Sequence, residues 1–204
     1  YEKLRTDKSS PFYNRATQEV TAPGSTFKLV TATAGVMENK ISIYDTITCT
    51  GKFDLVEKDN PINCWIYSAA DGWGSHGPET LETAIRDSCN FYFNTVGYYL
   101  GQNENGEYVG DMTLLNKYAE MYGFDSTSGI EISEMDPQIA TADPTRAAMG
   151  QSNNAFTTSQ LARYVTTLAN SGTCYDLTLL DKITDASGNT QEEPDPVVHN
   201  RLEL

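Results

Sequence analysis

Positive charge is scarce in this chain of 204 residues: 14 Lys and Arg stand against 28 Asp and Glu, a formal net charge of −14 at pH 7. Nucleic-acid phosphates and anionic membrane surfaces both require a basic patch, so both are poor partners for it. Long apolar runs are missing as well. No stretch approaches the roughly 18 apolar residues of a membrane span, and Tyr1-Glu2-Lys3-Leu4-Arg5-Thr6-Asp7 lacks the apolar segment of a signal peptide. The chain begins abruptly without Met and is expected to be an excerpt of a longer protein. The two histidines, His76 and His199, are isolated, and no C-x-x-C occurs, so neither a metal site nor a cofactor is expected. The four cysteines, Cys49, Cys64, Cys89 and Cys174, are too few for a disulfide-dense scaffold. What remains is ordinary: 39% hydrophobic residues and 15 glycines are the apolar share of a globular protein, and the length suits one sizeable domain.

The pattern along the chain is mainly helical. Residues 1–22 are polar and irregular, with Pro11 and Pro23 as breakers. Pro23-Gly24-Ser25 then leads into a helix over residues 26–38 that is apolar on nearly every side and should be buried. Residues 43–66 read as a hairpin of two short strands around Gly51 and the polar 57–61 segment. Such a hairpin could bring Cys49 and Cys64 together. A disulfide there would stabilise by about 3 kcal/mol in the chain-entropy picture; two buried free thiols are the alternative. A helical pattern runs over 79–87, pauses at Ser88-Cys89-Asn90, and resumes over 91–100 with Gly101 as its stop. Asp111 caps a helix that Gly123 ends, and Thr157-Thr158-Ser159-Gln160 has capping-box spacing ahead of an apolar face of Leu161, Tyr164, Val165 and Leu168, closed by Gly172. Short strands are predicted at 129–132 and 177–183. The core is placed at about 23–183 and a C-terminal tail at 184–204, with residues 191–196 a solvated linker.

Two short motifs could carry chemistry. In Ser25-Thr26-Phe27-Lys28 the serine and lysine lie one helical turn apart on one face, with Ser25 at the helix start, where backbone N–H groups favour a developing alkoxide. A buried lysine loses basicity by desolvation and can then take a serine proton. By itself S-x-x-K is weak, since about one occurrence is expected by chance in a chain of this length. An N-cap serine followed by a solvated lysine is the plainer reading. Ser88-Cys89-Asn90 pairs a hydroxyl that could pass a proton with an amide that could hold a peptide bond. It could equally be a helix cap, and Ser152-Asn153-Asn154 matches the same S-x-N pattern.

Context separates these readings. Asn14-Arg15-Ala16 and Ala22-Pro23-Gly24-Ser25-Thr26-Phe27-Lys28 resemble the nucleophile region of penicillin-binding proteins, the serine D,D-transpeptidases of peptidoglycan synthesis. Four further stretches agree in order. They are His76-Gly77 with Leu81, Ala84 and Ile85, then Ser88-Cys89-Asn90-Phe91-Tyr92-Phe93; Tyr122-Gly123-Phe124 with Ser128-Gly129-Ile130-Glu131; Ala148-Met149-Gly150-Gln151; and Thr157-Thr158-Ser159-Gln160-Leu161-Ala162 with Leu168-Ala169-Asn170-Ser171-Gly172. The resemblance spans residues 10 to about 183 and looks closer to the monofunctional, class B type. It implies that Ser25 is the acylated nucleophile, Lys28 its base, Ser88 a proton relay and Asn90 a binder of the substrate amide. It also implies stem peptides as substrates, β-lactams as acylating inhibitors, and a membrane-anchored parent working outside the bacterial cytoplasm in a cell-wall synthesis complex.

The implied fold is the helical lobe of the α/β penicillin-binding fold: a mainly α fragment with a small β-hairpin and the central sheet largely absent. The resemblance also implies a third motif, K-[ST]-G, on a strand of that sheet. None of the lysines (3, 8, 28, 40, 52, 58, 117, 182) is followed by [ST]-G, and Asn170-Ser171-Gly172 reads as a helix end. Without that strand part of the oxyanion hole is missing, so this stretch alone is expected to be impaired or inactive; one lost donor can cost about 10²–10³ in rate. The rival readings are a serine β-lactamase and a non-catalytic β-lactam sensor.

Overall fold

Helix-compatible residues run unbroken from Lys28 to Met37, and in the computed structural model of the chain they form a ten-residue helix entered through a 3-10 turn. The structure describes residues 1–69 and 71–202. In chain order the elements are α1 (Glu2–Arg5), α2 (Arg15–Gln18), the 3-10 turn Gly24–Phe27, α3 (Lys28–Met37), β1 (Ile47–Cys49), β2 (Lys52–Phe53), β3 (Ile62–Asn63), α4 (Trp65–Ala69), β4 (Gly77–Glu79), α5 (Leu81–Arg86), α6 (Asn90–Leu100), α7 (Thr113–Met121), α8 (Pro144–Ala147), α9 (Thr158–Ala169), β5 (Thr173–Tyr175), β6 (Ile183–Thr184), β7 (Thr190–Glu192) and β8 (Val198–Arg201). They sort into two units: Ala22–Ala119 with Ile139–Asn154, and Tyr1–Thr21 with Glu120–Gln138 and the chain from Ala155 onward.

In the first unit α3 and α6 pack on each other, and α6 packs on α8. Both long helices are apolar nearly all round, so both are buried: Phe27, Val30 and Ala34 meet a core that includes Tyr92, Phe93, Val96 and Leu100. Removing each large side chain from water contributes about 1.5–3 kcal/mol. Gly97 sets the α6–α8 spacing, because a Cβ there would lie 2.4 Å from the Pro144 carbonyl oxygen.

The predicted hairpin divides differently. β2 and β3 do pair across the polar 54–61 connection, Phe53 opposite Ile62. β1, however, pairs with β4, Cys49 opposite Gly77. Gly51, at φ +90, turns the chain between β1 and β2 and lets them join separate partners. All four cysteines are free thiols, so the Cys49–Cys64 disulfide is not made.

In the second unit α9 begins as its sequence predicts, with Thr157 and Gln160 capping each other's backbone. Its buried face is only partly the expected one, Tyr164 being the shared member. Ser159, Gln160, Arg163, Tyr164 and Thr167 are buried, while Val165 is 53% exposed. Arg163 explains the rotation. It is fully buried, and its guanidinium donates to the carbonyls of Gly123, Ser126 (2.8 Å) and Thr127 (2.8 Å) and to Asp176 (3.3 Å). Residues 129–132 form no strand. Within 177–183 only Ile183 is extended in a ladder, because Glu131 accepts the Leu179 N–H (2.8 Å) and holds a turn there. The tail is exposed over residues 184–193 but is not a mere linker: β7 pairs with β6, β8 pairs with β5, and Leu202 is buried. The described residues form only two-stranded ladders, in keeping with a mainly α chain.

Candidate active site

The site is built within the first unit. Pro23 and Gly24 open the 3-10 turn, Gly24 at φ +57. Gly150 fixes that turn from behind: its carbonyl accepts the Gly24 N–H (3.0 Å), and a Cβ on Gly150 would fall 2.0 Å from the Gly24 oxygen. Only glycine permits this approach, and Gly150 also sits at φ +76. The turn leaves Ser25 exposed and buries Phe27 and Lys28. Ser25 therefore stands in a 3-10 turn rather than in the first turn of the α-helix, which begins at Lys28.

Ser88 comes from the break between α5 and α6. The Cys89 N–H reaches back to the Ala84 carbonyl (2.9 Å) with Ser88 at φ +50, the left-handed residue of a Schellman-type helix end. Cys89 then caps α6, its sulfur accepting the Tyr92 N–H. The two functions expected of a pause, ending one helix and starting the next, fall on adjacent residues and aim Ser88 and Asn90 to one side.

Lys28 meets them there. Its Nζ donates to the Ser88 carbonyl (2.8 Å), the Ser88 Oγ (2.9 Å) and the Asn90 Oδ1 (2.7 Å). The Ser88 Oγ in turn lies 3.0 Å from the Ser25 Oγ. All four predicted site residues thus join one hydrogen-bonded group, and Lys28 reaches Ser25 through Ser88. Ser152 stands apart, donating to the Ala142 carbonyl (2.8 Å). Burial pushes Lys28 down to about 8, against a smaller opposing pull from the thiols of Cys64 and Cys89. The outcome is an exposed hydroxyl linked to a buried amine of near-neutral basicity, the parts of a nucleophile–base pair that works without histidine.

The family profile described as "Penicillin binding protein transpeptidase domain" matches residues 2–202. The chain belongs to this family. The transpeptidase MrdA of Haemophilus influenzae, a peptidoglycan D,D-transpeptidase by name, is 28% identical over 95% of this chain and 30% of its own length. Penicillin-binding protein A of M. tuberculosis, solved as its penicillin G acyl-enzyme complex, superposes with a TM-score of 0.78 at 21% identity, covering 98% of this chain and 44% of that one. A chain of a peptidoglycan synthase complex that couples polymerization and crosslinking superposes at 0.77 and 24% identity, covering 98% and 33%. The fold is that of the penicillin-binding transpeptidases, and the chain spans about a third of the length of the curated relatives it matches.

One feature of this transpeptidase domain was not visible in the spacing of its residues. Cys49, Cys64, His76 and Cys89, each a dozen or more positions from the next, are brought together so that their potential ligand atoms lie within 4.8 Å of one another. His76 is thus not isolated; its Nδ1 is 3.6 Å from the Cys64 sulfur. The Cys64–Cys89 thiol hydrogen bond favours the thiolate of Cys64 and pushes Cys89 up, with burial raising Cys89 further. The other missed contributor is Gly150. Its Gly-Gln pair marked the resemblance, and no local signal tied it to the nucleophile turn.

Proposed function

We propose that the chain carries the nucleophile half of a peptidoglycan D,D-transpeptidase. Ser25 attacks the carbonyl of the penultimate D-alanine of a stem peptide. Its proton passes to the Ser88 oxygen, whose own proton moves to neutral Lys28. The new Ser25 Oγ–C bond replaces the C–N bond to the terminal D-alanine, which leaves as an amine after taking the proton back from Lys28 through Ser88. An acceptor amine on a second strand then attacks the ester, forms the cross-link and frees Ser25. Asn90, its Oδ1 held by Lys28, offers its NH2 end to a substrate carbonyl.

β-Lactams enter the same path, their ring amide replacing the D-alanyl bond, and stay because no amine resolves the adduct. The reaction belongs outside the cytoplasm, where stem peptides and acceptor strands meet, in company with the machinery that polymerises the glycan. No described helix is long and apolar enough to cross a membrane.

The observation that carries this reading is the Ser25–Ser88–Lys28 chain of contacts at 3.0 and 2.9 Å. Fluorescent penicillin tests it. The full-length protein becomes labelled at Ser25, and S25A does not. Rapid nitrocefin turnover would instead make the protein a β-lactamase, and an unlabelled full-length protein would end the reading.

A further inference from the structure

A cavity of about 190 Å³ opens in the first unit, between the β2–β3 connection and α8. One side of it is aromatic and firmly packed. Phe53 is 1% exposed and lies edge-on to Phe91 and Tyr98, at 5.9 and 6.4 Å, while Tyr108 stacks on Tyr98 at 4.9 Å. Ile62 stands opposite Phe53 in the β2–β3 pair. Directly opposed residues project from one face of a ladder, so both line the cavity, and Val56 adds an apolar wall from the connection.

The other side is charged. Arg146 donates from Nη1 to the Asp143 carboxylate (2.8 Å), and its Nη2 lies 3.9 Å from the Glu57 carboxylate. Asp143 is already well bonded, since it also accepts the Arg146 N–H (3.0 Å) and the Thr145 hydroxyl (2.6 Å). The Glu57 contact is of another kind. At 3.9 Å it is too long for a hydrogen bond, and with side chains 33% and 52% exposed such a pair stabilises little. A guanidinium and a carboxylate thus line one cavity, close together and not bonded to each other.

We infer that this cavity binds a free amino acid with an aliphatic side chain of about leucine's size, its carboxylate on Arg146, its ammonium on Glu57 and its side chain against Phe53, Ile62 and Val56. A free amino acid carries both charges on one carbon, so it enters between Arg146 and Glu57 and gives each a bonded partner. The arginine suits the carboxylate, because its planar fork offers parallel N–H donors. A bare anion would meet Asp143 and Glu57, and a bare cation would meet Arg146; a dipolar ion avoids both repulsions. Volume sets the side chain. An apolar cavity of about 150 Å³ holds benzene, so the space here suits a branched aliphatic group with the charged atoms at its polar side. Ser25, Lys28, Ser88 and Asn90 do not line the cavity, and the inference goes beyond the acyl-serine reading without resting on it.

The test uses the full-length protein, isotope-labelled at its isoleucine methyl groups, and follows the Ile62 methyl resonance during titration. Leucine shifts that resonance saturably, with half-saturation at roughly 0.1–1 mM, the range for a ligand of about nine heavy atoms. Both enantiomers are titrated, and saturable binding of either supports the site. Glycine lacks the side chain, N-acetylleucine the ammonium and leucinamide the carboxylate, and each binds about tenfold more weakly or worse. E57Q alters a half-exposed residue of the connection and leaves the fold intact. It weakens leucine about tenfold but N-acetylleucine little, because the charge that Glu57 would pair is already gone. Val56→Trp fills the cavity from a partly exposed position and abolishes the shift. S25A and the penicillin-acylated protein bind leucine as the unmodified protein does. No saturable shift with either enantiomer, N-acetylleucine and leucinamide binding as tightly as leucine, or leucine binding lost on acylation, which would place the ligand at the nucleophile, would overturn the site.

Discussion

Lys28 is 3% exposed and spends its three donors on the Ser88 carbonyl, the Ser88 hydroxyl and the Asn90 amide oxygen. Burial favours the neutral amine, so the lysine titrates near 8 instead of 10.5. The sign for catalysis follows. On the proposed mechanism Lys28 is the base: at pH 7 roughly a tenth of the chains hold it neutral, and raising the pH through 8 fills that form. Penicillin acylation should therefore climb with pH and level off above about 8, as stopped-flow labelling across a pH series would read. K28M removes the base, and with it the cation–π contact of Nζ over the Phe93 ring (5.5 Å), while leaving an unbranched side chain of similar length in the buried slot. Its acylation rate should fall by about 10²–10⁴, with circular dichroism unchanged. Gly150→Ala probes the turn itself. A methyl 2.0 Å from the Gly24 oxygen must displace the turn that carries Ser25, so labelling should drop steeply although no reacting group has changed. Ser25, Lys28, Ser88 and Asn90 were singled out through the ordered family-like motifs, since their spacing alone read more plainly as helix caps, and the structure brings the four together. Gly150 was not singled out, since its role is a backbone approach between positions far apart in the sequence.

At the scale of elements, capping chemistry decided what could be read. The Thr157–Gln160 box, the pause between α5 and α6 and the stop at Gly101 are local, and each appears where the sequence predicts. The burial of α9 is not local. A period of apolar residues pointed to Leu161, Tyr164, Val165 and Leu168; Tyr164 is buried as expected, but Val165 is exposed, and one arginine with carbonyl partners from residues 123–127 brings Arg163 and Thr167 inside instead. Strand pairing failed for a similar reason: β1 finds its partner beyond β2 and β3, and β8 returns from the tail to β5. Arg163→Met tests the α9 account. Removing the guanidinium leaves buried carbonyls and Asp176 without their donor, and the protein should lose about 3–5 kcal/mol in urea unfolding. Glu134 provides a second check in the same unit. Burial alone would raise its pKa, but hydrogen bonds from Ser159, Ser128 and Thr157 win and hold it below the usual glutamate value. Its contribution is therefore present above about pH 4.5 and lost as the pH falls through the lowered folded value. Glu134→Gln should flatten that acid limb of the stability curve.

For the whole molecule, the family profile over residues 2–202 and the superposition on penicillin-binding protein A agree on the fold, and the described ladders are all two-stranded. Composition foresaw little of this beyond an acidic globular chain. Ordered motifs foresaw the family, because five stretches in register constrain a chain far more than any one of them. The cluster of Cys49, Cys64, His76 and Cys89 escaped both, since its members meet only after β1, β3, β4 and α6 are in place. The chain spans about a third of its curated relatives, and no K-[ST]-G follows any of its lysines. The most direct measurement of the central claim is intact-mass and peptide mass spectrometry of the full-length protein after penicillin treatment. The account predicts a single stoichiometric adduct on the peptide that contains Ser25, absent in S25A; an adduct on another residue, or none, would contradict it.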